Sequence, residues 1–214
     1  MNARRNGVQE FCANKFYSNT IYFNMNKTIA IFSALALAFT ANLGQAQTYK
    51  INASASTLEW EGGKITGSTH TGLIQLSNGY LQLANDAFSL GQFTIDMTSM
   101  TNTDLGGEYG DKLMGHLKSD DFFSVATHPE ATLEILSSTR FVDGRATVQA
   151  NATIKGNTER VSFDVVKNGD AFDAEIVLDR SKFDVRYGSD SFFDNLGDNV
   201  ILDDFTMRVH LVTK

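Results

Sequence analysis

Residues 172–179 of the chain read FDAEIVLD, and this stretch decides the fold class. Its even-numbered positions are all apolar, whereas three of its four odd-numbered positions are acidic. Successive side chains of a β-strand point to opposite faces of the sheet, so this alternation predicts a strand with one dry and one solvated face. Such a strand is typical of an antiparallel sheet that covers an apolar interior.

The same alternation recurs along most of the chain beyond residue 47. Turn-forming sequences separate the alternating stretches: Asn78-Gly79, Asp143-Gly144, Gly156-Asn157 and Asn168-Gly169-Asp170. We predict eight or nine strands, near residues 48–53, 57–62, 70–77, 80–98 (with a break near Asn85), 131–137, 140–154, 160–167, 171–179 and 204–213. So many consecutive hairpins in one domain indicate an antiparallel barrel or sandwich.

One segment departs from the alternation. Between Glu108 and Lys118, the residues Tyr109, Leu113, His116 and Leu117 fall at helical spacing. We predict a short helix here that caps or flanks the sheet.

Two short segments pair capping residues with two adjacent aromatics, namely SDDFF at 119–123 and SDSFF at 189–193. Two interpretations are open at this point. The segments are either short helical turns that pack into the core, or aromatic pairs that line the mouth of a cavity.

The N-terminal 46 residues have the features of a targeting segment. Met25-Asn26-Lys27 supplies a positive start, residues 29–39 form an apolar run, and Gly44 and Ala46 are small residues that suit a signal peptidase. We therefore expect residues 1–46 to be a leader and signal peptide, with the start at Met25 and cleavage after Ala46. Residues 47–214 would then form one exported domain. The apolar run is shorter than the roughly 20 residues that a membrane-spanning helix needs, so we expect no stable membrane span.

The composition excludes several classes of protein. The 214-residue chain has a formal net charge of −7, which opposes the clustered basic surface of a nucleic-acid binder. Its one cysteine, Cys12, excludes a disulfide framework and a thiolate-rich metal site. Sixteen phenylalanines against a single tryptophan indicate an interior rich in aromatic surface.

The sequence lacks the short motifs of the common hydrolases, zinc proteases and nucleotide-binding proteins. Its four histidines, His70, His116, His128 and His210, are scattered with no pair at metal-ligand spacing, so we predict no metal site. A barrel with a phenylalanine-rich interior and no catalytic constellation indicates a container, and eight strands enclose enough space for one small apolar ligand.

Four segments in order resemble landmarks of the YceI-like family. They are KITGSTHTG at 64–72, HLKSDDFF at 116–123, TIKGNT at 153–158 and DRSKFDVRYG at 179–188. The resemblance covers residues 49–214. It implies an all-β fold with short helices, in the form of an eight-stranded antiparallel lipocalin-like barrel with a central apolar tunnel. It further implies export to the periplasm, non-enzymatic binding of a long polyisoprenoid or similar amphiphile, no cofactor besides that lipid, and often a homodimer. Polyprenyl phosphate, quinone and fatty amide would all fit such a tunnel.

We select candidate ligand contacts from the dry faces and the aromatic loops. The tunnel candidates are Phe88, Leu90, Phe93, Ile95, Leu133, Ile135, Val148, Phe163, Phe172, Ile176, Phe205 and Met207. The mouth candidates are Phe122, Phe123, Phe183 and Tyr187, and the candidates for a polar head group are His70, His116 and Arg186. Alternation shows which face is inward but not whether the interior is filled, so ordinary core packing is an equal alternative for each tunnel residue.

Two other functions remain open from the sequence. An eight-stranded outer-membrane barrel shares the signal peptide and the alternation, but it needs an apolar outer face. A hydrolase that uses carboxylates and His70 is the other alternative. A membrane barrel would need detergent for extraction, and a hydrolase would lose turnover on the substitution His70→Ala.

Overall fold

The computed structural model describes residues 46–214, and these residues form one antiparallel sheet of nine strands. The strands are β1 (Gln47–Lys50), β2 (Thr57–Gly63), β3 (Thr69–Ala84), β4 (Ala87–Asp96), β5 (Glu130–Ser138), β6 (Arg145–Ile154), β7 (Asn157–Asn168), β8 (Ala171–Asp179) and β9 (Asp204–Val212). The predicted leader at 1–24, start at Met25 and apolar run at 29–39 lie outside the described residues. In residues 46–214, no helix has the length and apolar character needed to cross a membrane.

The sheet closes into an eight-stranded barrel, as predicted. β2 to β9 follow one another in the order 3-2-9-8-7-6-5-4, and β3 also pairs with β4 to close the ring. The short β1 takes no separate place in the ring, because it pairs with the second half of β3 while β2 pairs with the first half. A 3-10 turn at Ala53–Ala55 separates β1 from β2. The two strands therefore act as one interrupted strand, and Ile51 bridges to Thr213 beyond the end of β9.

The alternation in the sequence becomes the inside and outside of this barrel. On β6, every second residue from Ala146 to Ile154 is buried. On β8, Phe172, Ile176 and Leu178 are buried while Val177 is 56% exposed. Strands with alternating sequences such as FDAEIVLD thus turn their apolar residues towards the interior of the barrel.

The predicted turn at Asn78-Gly79 is wrong, because β3 runs through it. The true hairpin turn lies at Asn85 and Asp86, which both adopt positive φ (53° and 59°). Pairing with β4 shifts register between Leu76 and Asn78, so the Asn-Gly pair sits at a bulge instead. Glycine is needed there because a Cβ at Gly79 would lie 2.7 Å from Cδ1 of Phe93.

The longest connections all lie at one end of the barrel. One end, which we call the hairpin end, carries the tight turns near residues 85–86, 143–144 and 169–170. The other, which we call the loop end, carries the connections 64–68, 97–129, 155–156 and 180–203. The predicted helix is present as α1 (Gly107–Lys118) within the long connection 97–129. Its first-turn residue Tyr109 is 76% exposed, whereas Gly110 is buried and Leu113, His116 and Leu117 line the interior.

Candidate functional site

The barrel encloses a cavity of about 510 Å³. All eight strands from β2 to β9 contribute to its lining, together with α1 and the loops of the loop end. Most lining side chains are aliphatic, aromatic or methionine, and they come from the inward positions of the alternating strands. The volume lies within the roughly 300–1,000 Å³ of ordinary small-molecule sites.

Aromatic rings fill the hairpin end of the barrel. The ring of Phe88 meets the ring of Phe141 edge-on at a centroid distance of 5.1 Å and the ring of Phe172 at 5.2 Å. Phe88 and Phe172 are 2% and 3% exposed and also line the cavity. The cavity therefore ends at the rings of Phe88 and Phe172, which pack against Phe141.

The cavity opens at the loop end. Four of its lining residues are exposed to solvent there: Lys64 and Ser68 from the β2–β3 turn, and Tyr187 and Leu202 from the connection 180–203. The charged and histidine side chains of the lining also lie at this end. The cavity is thus apolar along its length and polar only near its mouth.

Arg180 is the most deeply buried charge at the mouth, with 2% exposure. Its Nε donates to the carbonyl of Leu202, its Nη1 to those of Val185 and Tyr187, and its Nη2 to that of Ile201. Nη2 also lies 3.2 Å from Oδ1 of Asp203 in an ion pair.

These contacts hold both halves of the connection 180–203 together. Burial lowers the pKa of Arg180, while the neighbouring carboxylates oppose that effect.

His70 and Asp104 join β3 to the connection 97–129. Nδ1 of His70 lies 2.8 Å from Oδ2 of Asp104, and the backbone N–H of Thr71 donates to Oδ1. Burial opposes ionisation of Asp104, but the hydrogen bonds from His70, Thr71 and Asn102 outweigh it and lower the pKa of the carboxyl group. The segment that leads into α1 is thereby anchored beside the mouth.

His116 projects from α1 into the lining. Its ring meets the ring of Tyr187 edge-on at 4.4 Å and that of Phe122 at 5.7 Å. Its Nε2 is buried and has no hydrogen-bond partner among residues 46–214.

Fifteen of the nineteen residues selected from the sequence line this cavity. They are Phe88, Phe93, Ile95, Leu133, Ile135, Phe163, Phe172, Ile176, Phe205, Met207, Phe122, Phe123, Tyr187, His70 and His116. Contact of these residues with a ligand stays a prediction.

Two of the selected strand residues lie away from the lining. Leu90 follows a bulge in β4, because Gln82 pairs with Leu90 while Leu83 pairs with Phe88. The extra residue reverses the alternation, so Phe88 and Gly91 face inward and Leu90 does not. Val148 does face inward, with 0% exposure, but it lies near the hairpin end, where side chains fill the barrel.

Two of the selected loop residues also lie outside the lining. Phe183 ends the 3-10 turn Arg180–Phe183, where it is 1% exposed and packs in the core. Its carbonyl accepts a hydrogen bond from the side chain of Asn157. Arg186 is exposed, pairs with Asp184 and covers the ring of Phe192 at 4.9 Å. The arginine that lines the cavity is Arg180 instead, because the turn directs its side chain into the protein.

The two SDDFF-type segments differ in the structure. Phe122 is 5% exposed, and both Phe122 and Phe123 line the cavity, so the first segment packs in the core and borders the mouth. Phe192 and Phe193 are 39% and 49% exposed on the outside. The shared sequence pattern therefore does not correspond to a shared role.

Sequence reasoning missed several lining residues. Leu58 and Trp60 alternate on β2 and could have been found by the same rule as the others. Met100 and Arg180 lie in loops, where periodicity gives no signal for burial.

Comparison with known proteins agrees with this architecture. No curated protein matches the chain significantly. Among solved structures, BcnA of Burkholderia cenocepacia is similar with a TM-score of 0.62 and 23% sequence identity, over 77% of this chain and 99% of that chain. A polyisoprenoid-binding domain from Saccharophagus degradans, described as implicated in plant cell wall breakdown, is similar with a TM-score of 0.51 and 18% identity, over 78% of this chain and 97% of that chain.

These likenesses show a shared fold. The profile of the YceI-like domain matches residues 49–213, which is most of the sequence and the whole of the barrel apart from the first residues of β1. The chain therefore belongs to the YceI-like family.

Proposed function

We propose that this protein is an extracytoplasmic, non-enzymatic carrier of a long apolar amphiphile such as a polyisoprenoid or an isoprenoid quinone. The ligand's chain would lie in the barrel cavity, with its tail towards the rings of Phe88 and Phe172. Its head would lie near the mouth, beside His116.

The observation that carries this proposal is the polarity of the cavity. Apolar side chains line it from the floor upwards, and polar groups gather only at the loop end. An amphiphile has the same distribution, since its chain gains roughly 25 cal/mol for each Å² of apolar surface removed from water while its head prefers polar contacts. The neighbour from Saccharophagus degradans, described as a polyisoprenoid-binding domain, supports the choice of ligand class.

The outer face of the barrel favours this proposal over the outer-membrane alternative. Arg208 on β9 lies 2.9 Å from Glu61 on β2 and 3.5 Å from Glu175 on β8, and all three side chains point away from the interior. Such charged groups at the centre of a lipid-facing surface would be costly. A water-filled lumen would also need polar inward residues, whereas this interior is apolar.

The extracytoplasmic location is part of the proposal and rests on the targeting features of residues 1–46. Fractionation of cells that express the full chain tests it. We expect the mature protein in the periplasmic fraction with Gln47 as its first residue, and an uncleaved cytosolic protein would contradict the proposal.

Fluorescence of the single tryptophan tests ligand binding. Trp60 is 9% exposed and lines the cavity, so a quinone bound inside would quench its emission. We expect saturable quenching by a prenylated quinone and none by the same quinone head without its tail at equal concentration. Equal quenching by both would contradict binding through the apolar chain.

The homodimer that the resemblance implies remains a prediction. Sedimentation equilibrium of residues 47–214 at several concentrations tests it, because a dimer gives twice the molecular mass of the monomer. A monomer at all concentrations would contradict it and would leave the carrier proposal unchanged, since one chain encloses the whole cavity.

A further inference from the structure

The polar side chains of the cavity lining bear on which head group a bound amphiphile carries. Lining residues with charged or imidazole side chains are Lys64, His70, His116 and Arg180. If the ligand carried a phosphate, cationic donors directed at one point near the mouth would be expected, because phosphate is recognised best by Arg and Lys groups with free N–H donors.

Arg180 has no such donor to offer. Its Nε and both of its Nη atoms are engaged by four backbone carbonyls, and Nη2 additionally faces Asp203. Redirecting one of the four carbonyl-bound N–H groups to a ligand would leave a carbonyl of the connection 180–203 without its donor, and redirecting the remaining one would weaken the ion pair with Asp203. Arg180 is thus a positioning residue for the mouth.

The other cations near the mouth are engaged or exposed. His70 uses Nδ1 for Asp104, and Arg186, outside the lining, is paired with Asp184. Lys64 has no carboxylate within ion-pair distance in the part of the chain that the structure describes, but it lies exposed on the rim, beside a groove that also contains Asp121. A phosphate there would stay largely in water.

His116 differs from all of these, because its Nε2 is buried in the lining without a partner in the described barrel. A buried polar atom without a hydrogen bond is unfavourable, and a ligand that supplied the missing bond would remove that cost. An imidazole nitrogen donates in one tautomer and accepts in the other, so it serves a hydroxyl, a carbonyl or an amide.

We infer that the bound amphiphile has an uncharged head, such as an alcohol, phenol, quinone or amide, which exchanges one hydrogen bond with Nε2 of His116. This inference rests on the proposed function and names the ligand class of the same site. It distinguishes the site from one built for a polyprenyl phosphate, whose head needs several cationic donors.

Competition between ligands with one shared tail tests the inference. Residues 47–214 are offered equimolar geranylgeraniol and geranylgeranyl phosphate, and native mass spectrometry reads the ratio of the two complexes. A C20 isoprenoid hydrocarbon without a head serves as the reference for the tail alone. We expect the alcohol complex to dominate.

Substitutions of His116 locate the hydrogen bond. His116→Leu should lower the affinity for the alcohol about fivefold to tenfold relative to the hydrocarbon, the effect of one hydrogen bond. His116→Gln keeps a polar side chain and should retain more of the preference. His210→Leu is the matched control, since His210 lies on the outer face with Asp173.

Each outcome decides between the two claims. A dominant phosphate complex would overturn the uncharged head while leaving the carrier proposal intact, and its weakening by Lys64→Gln would place the phosphate at the rim. An alcohol preference that survives His116→Leu would also overturn the inference. Failure of all three ligands to bind the folded protein would overturn the carrier proposal itself.

Discussion

At the scale of single residues, the inward side chains determine whether an apolar chain can enter. Phe93 and Phe163 are 3% and 9% exposed and line the cavity. Phe93→Asp or Phe163→Asp would place a carboxylate in an apolar surrounding, which opposes both its ionisation and the approach of a hydrocarbon tail. We expect lipid to be lost from the purified variant. Lipid that still co-purified with a folded Phe93→Asp variant would show that Phe93 is not a ligand contact.

A second variant covers the case in which the buried carboxylate prevents folding. Ala152 is 3% exposed and lines the cavity, so Ala152→Phe would occupy ligand space without adding charge. We expect a folded protein with reduced ligand stoichiometry. Val177→Phe is the control, because Val177 is 56% exposed on the outside of the barrel. Equal ligand retention in both variants would contradict an interior binding site.

Arg180 should matter for stability because of its backbone contacts. Arg180→Met would leave four backbone carbonyls and the largely buried Asp203 without their partner, and we expect a loss of about 3–5 kcal/mol in the free energy of unfolding. Urea denaturation measures it. Arg186→Met is the matched control, since Arg186 is exposed and should change stability by no more than about 0.5 kcal/mol. Similar small effects of both substitutions would show that the contacts of Arg180 do not stabilise the loop end.

The roles of Arg180 and Leu90 show where sequence reasoning about the site ends. Alternation identified Phe93, Ile95 and Ile176 as inward, because strand geometry fixes their direction. It failed at Leu90, because the change from even to odd apolar positions between Phe88 and Phe93 does not show at which residue the bulge lies. It could not find Arg180, whose burial depends on long-range contacts with residues 201–203.

At the scale of elements, close approach explains why particular strand positions are glycine. A Cβ at Gly72 on β3 would lie 1.8 Å from the carbonyl oxygen of Thr101 and 2.5 Å from the ring of Trp60. That carbonyl accepts hydrogen bonds from Nε1 of Trp60 and from the N–H of Leu73, so it cannot move away without losing them.

We therefore expect Gly72→Ala to destabilise the protein by about 1–3 kcal/mol. Gly62 on β2 is the matched control, because a Cβ there meets nothing within 4 Å. Gly62→Ala should be neutral or slightly stabilising. Thermal or urea unfolding of the two variants measures the difference, and equal effects would contradict the close packing of the 101–105 segment on β3.

The attachment of this segment should also depend on pH. Hydrogen bonds lower the pKa of Asp104 from its ordinary value of 3.8 when the protein folds. A carboxyl group whose pKa is lowered by folding stabilises the protein fully above its unfolded pKa, and that contribution is lost as the pH falls through the folded value.

We expect Asp104→Asn to cost up to about 1 kcal/mol near neutral pH, because the carboxyl group is partly exposed. The difference from the wild type should shrink as the pH falls below 3.8. Urea denaturation at a series of pH values measures it, and a difference that grew on acidification would contradict the assignment.

The elements themselves were largely predictable. Strand positions and the helix at 107–118 followed from period-two and helical spacing, since burial on one face dictates both patterns. The turn at Asn85-Asp86 was weaker in the sequence than the Asn78-Gly79 pair, yet the chain turns at the former. Pairing of β3 with β1, β2 and β4 extends that strand through the Asn-Gly pair, and such long-range pairing is not visible in a local pattern.

At the scale of the whole molecule, closure of the sheet turns eight dry faces into one enclosed apolar volume. Alternation alone could not decide between a filled core and a cavity, because both need the same inward residues. The structure shows a filled hairpin end, with Val148 at 0% exposure, and a cavity of about 510 Å³ between that end and the loop end. The central claim is that an apolar chain occupies this cavity.

Native mass spectrometry of residues 47–214, purified from the periplasm without detergent, tests that claim most directly. Organic extraction of the same sample then identifies the bound molecule. We expect one long-chain isoprenoid with an uncharged head for each protein chain, and its loss on Phe93→Asp but not on Val177→Asp. A folded protein that is empty, and that stays empty when offered prenylated quinones and alcohols, would contradict the account.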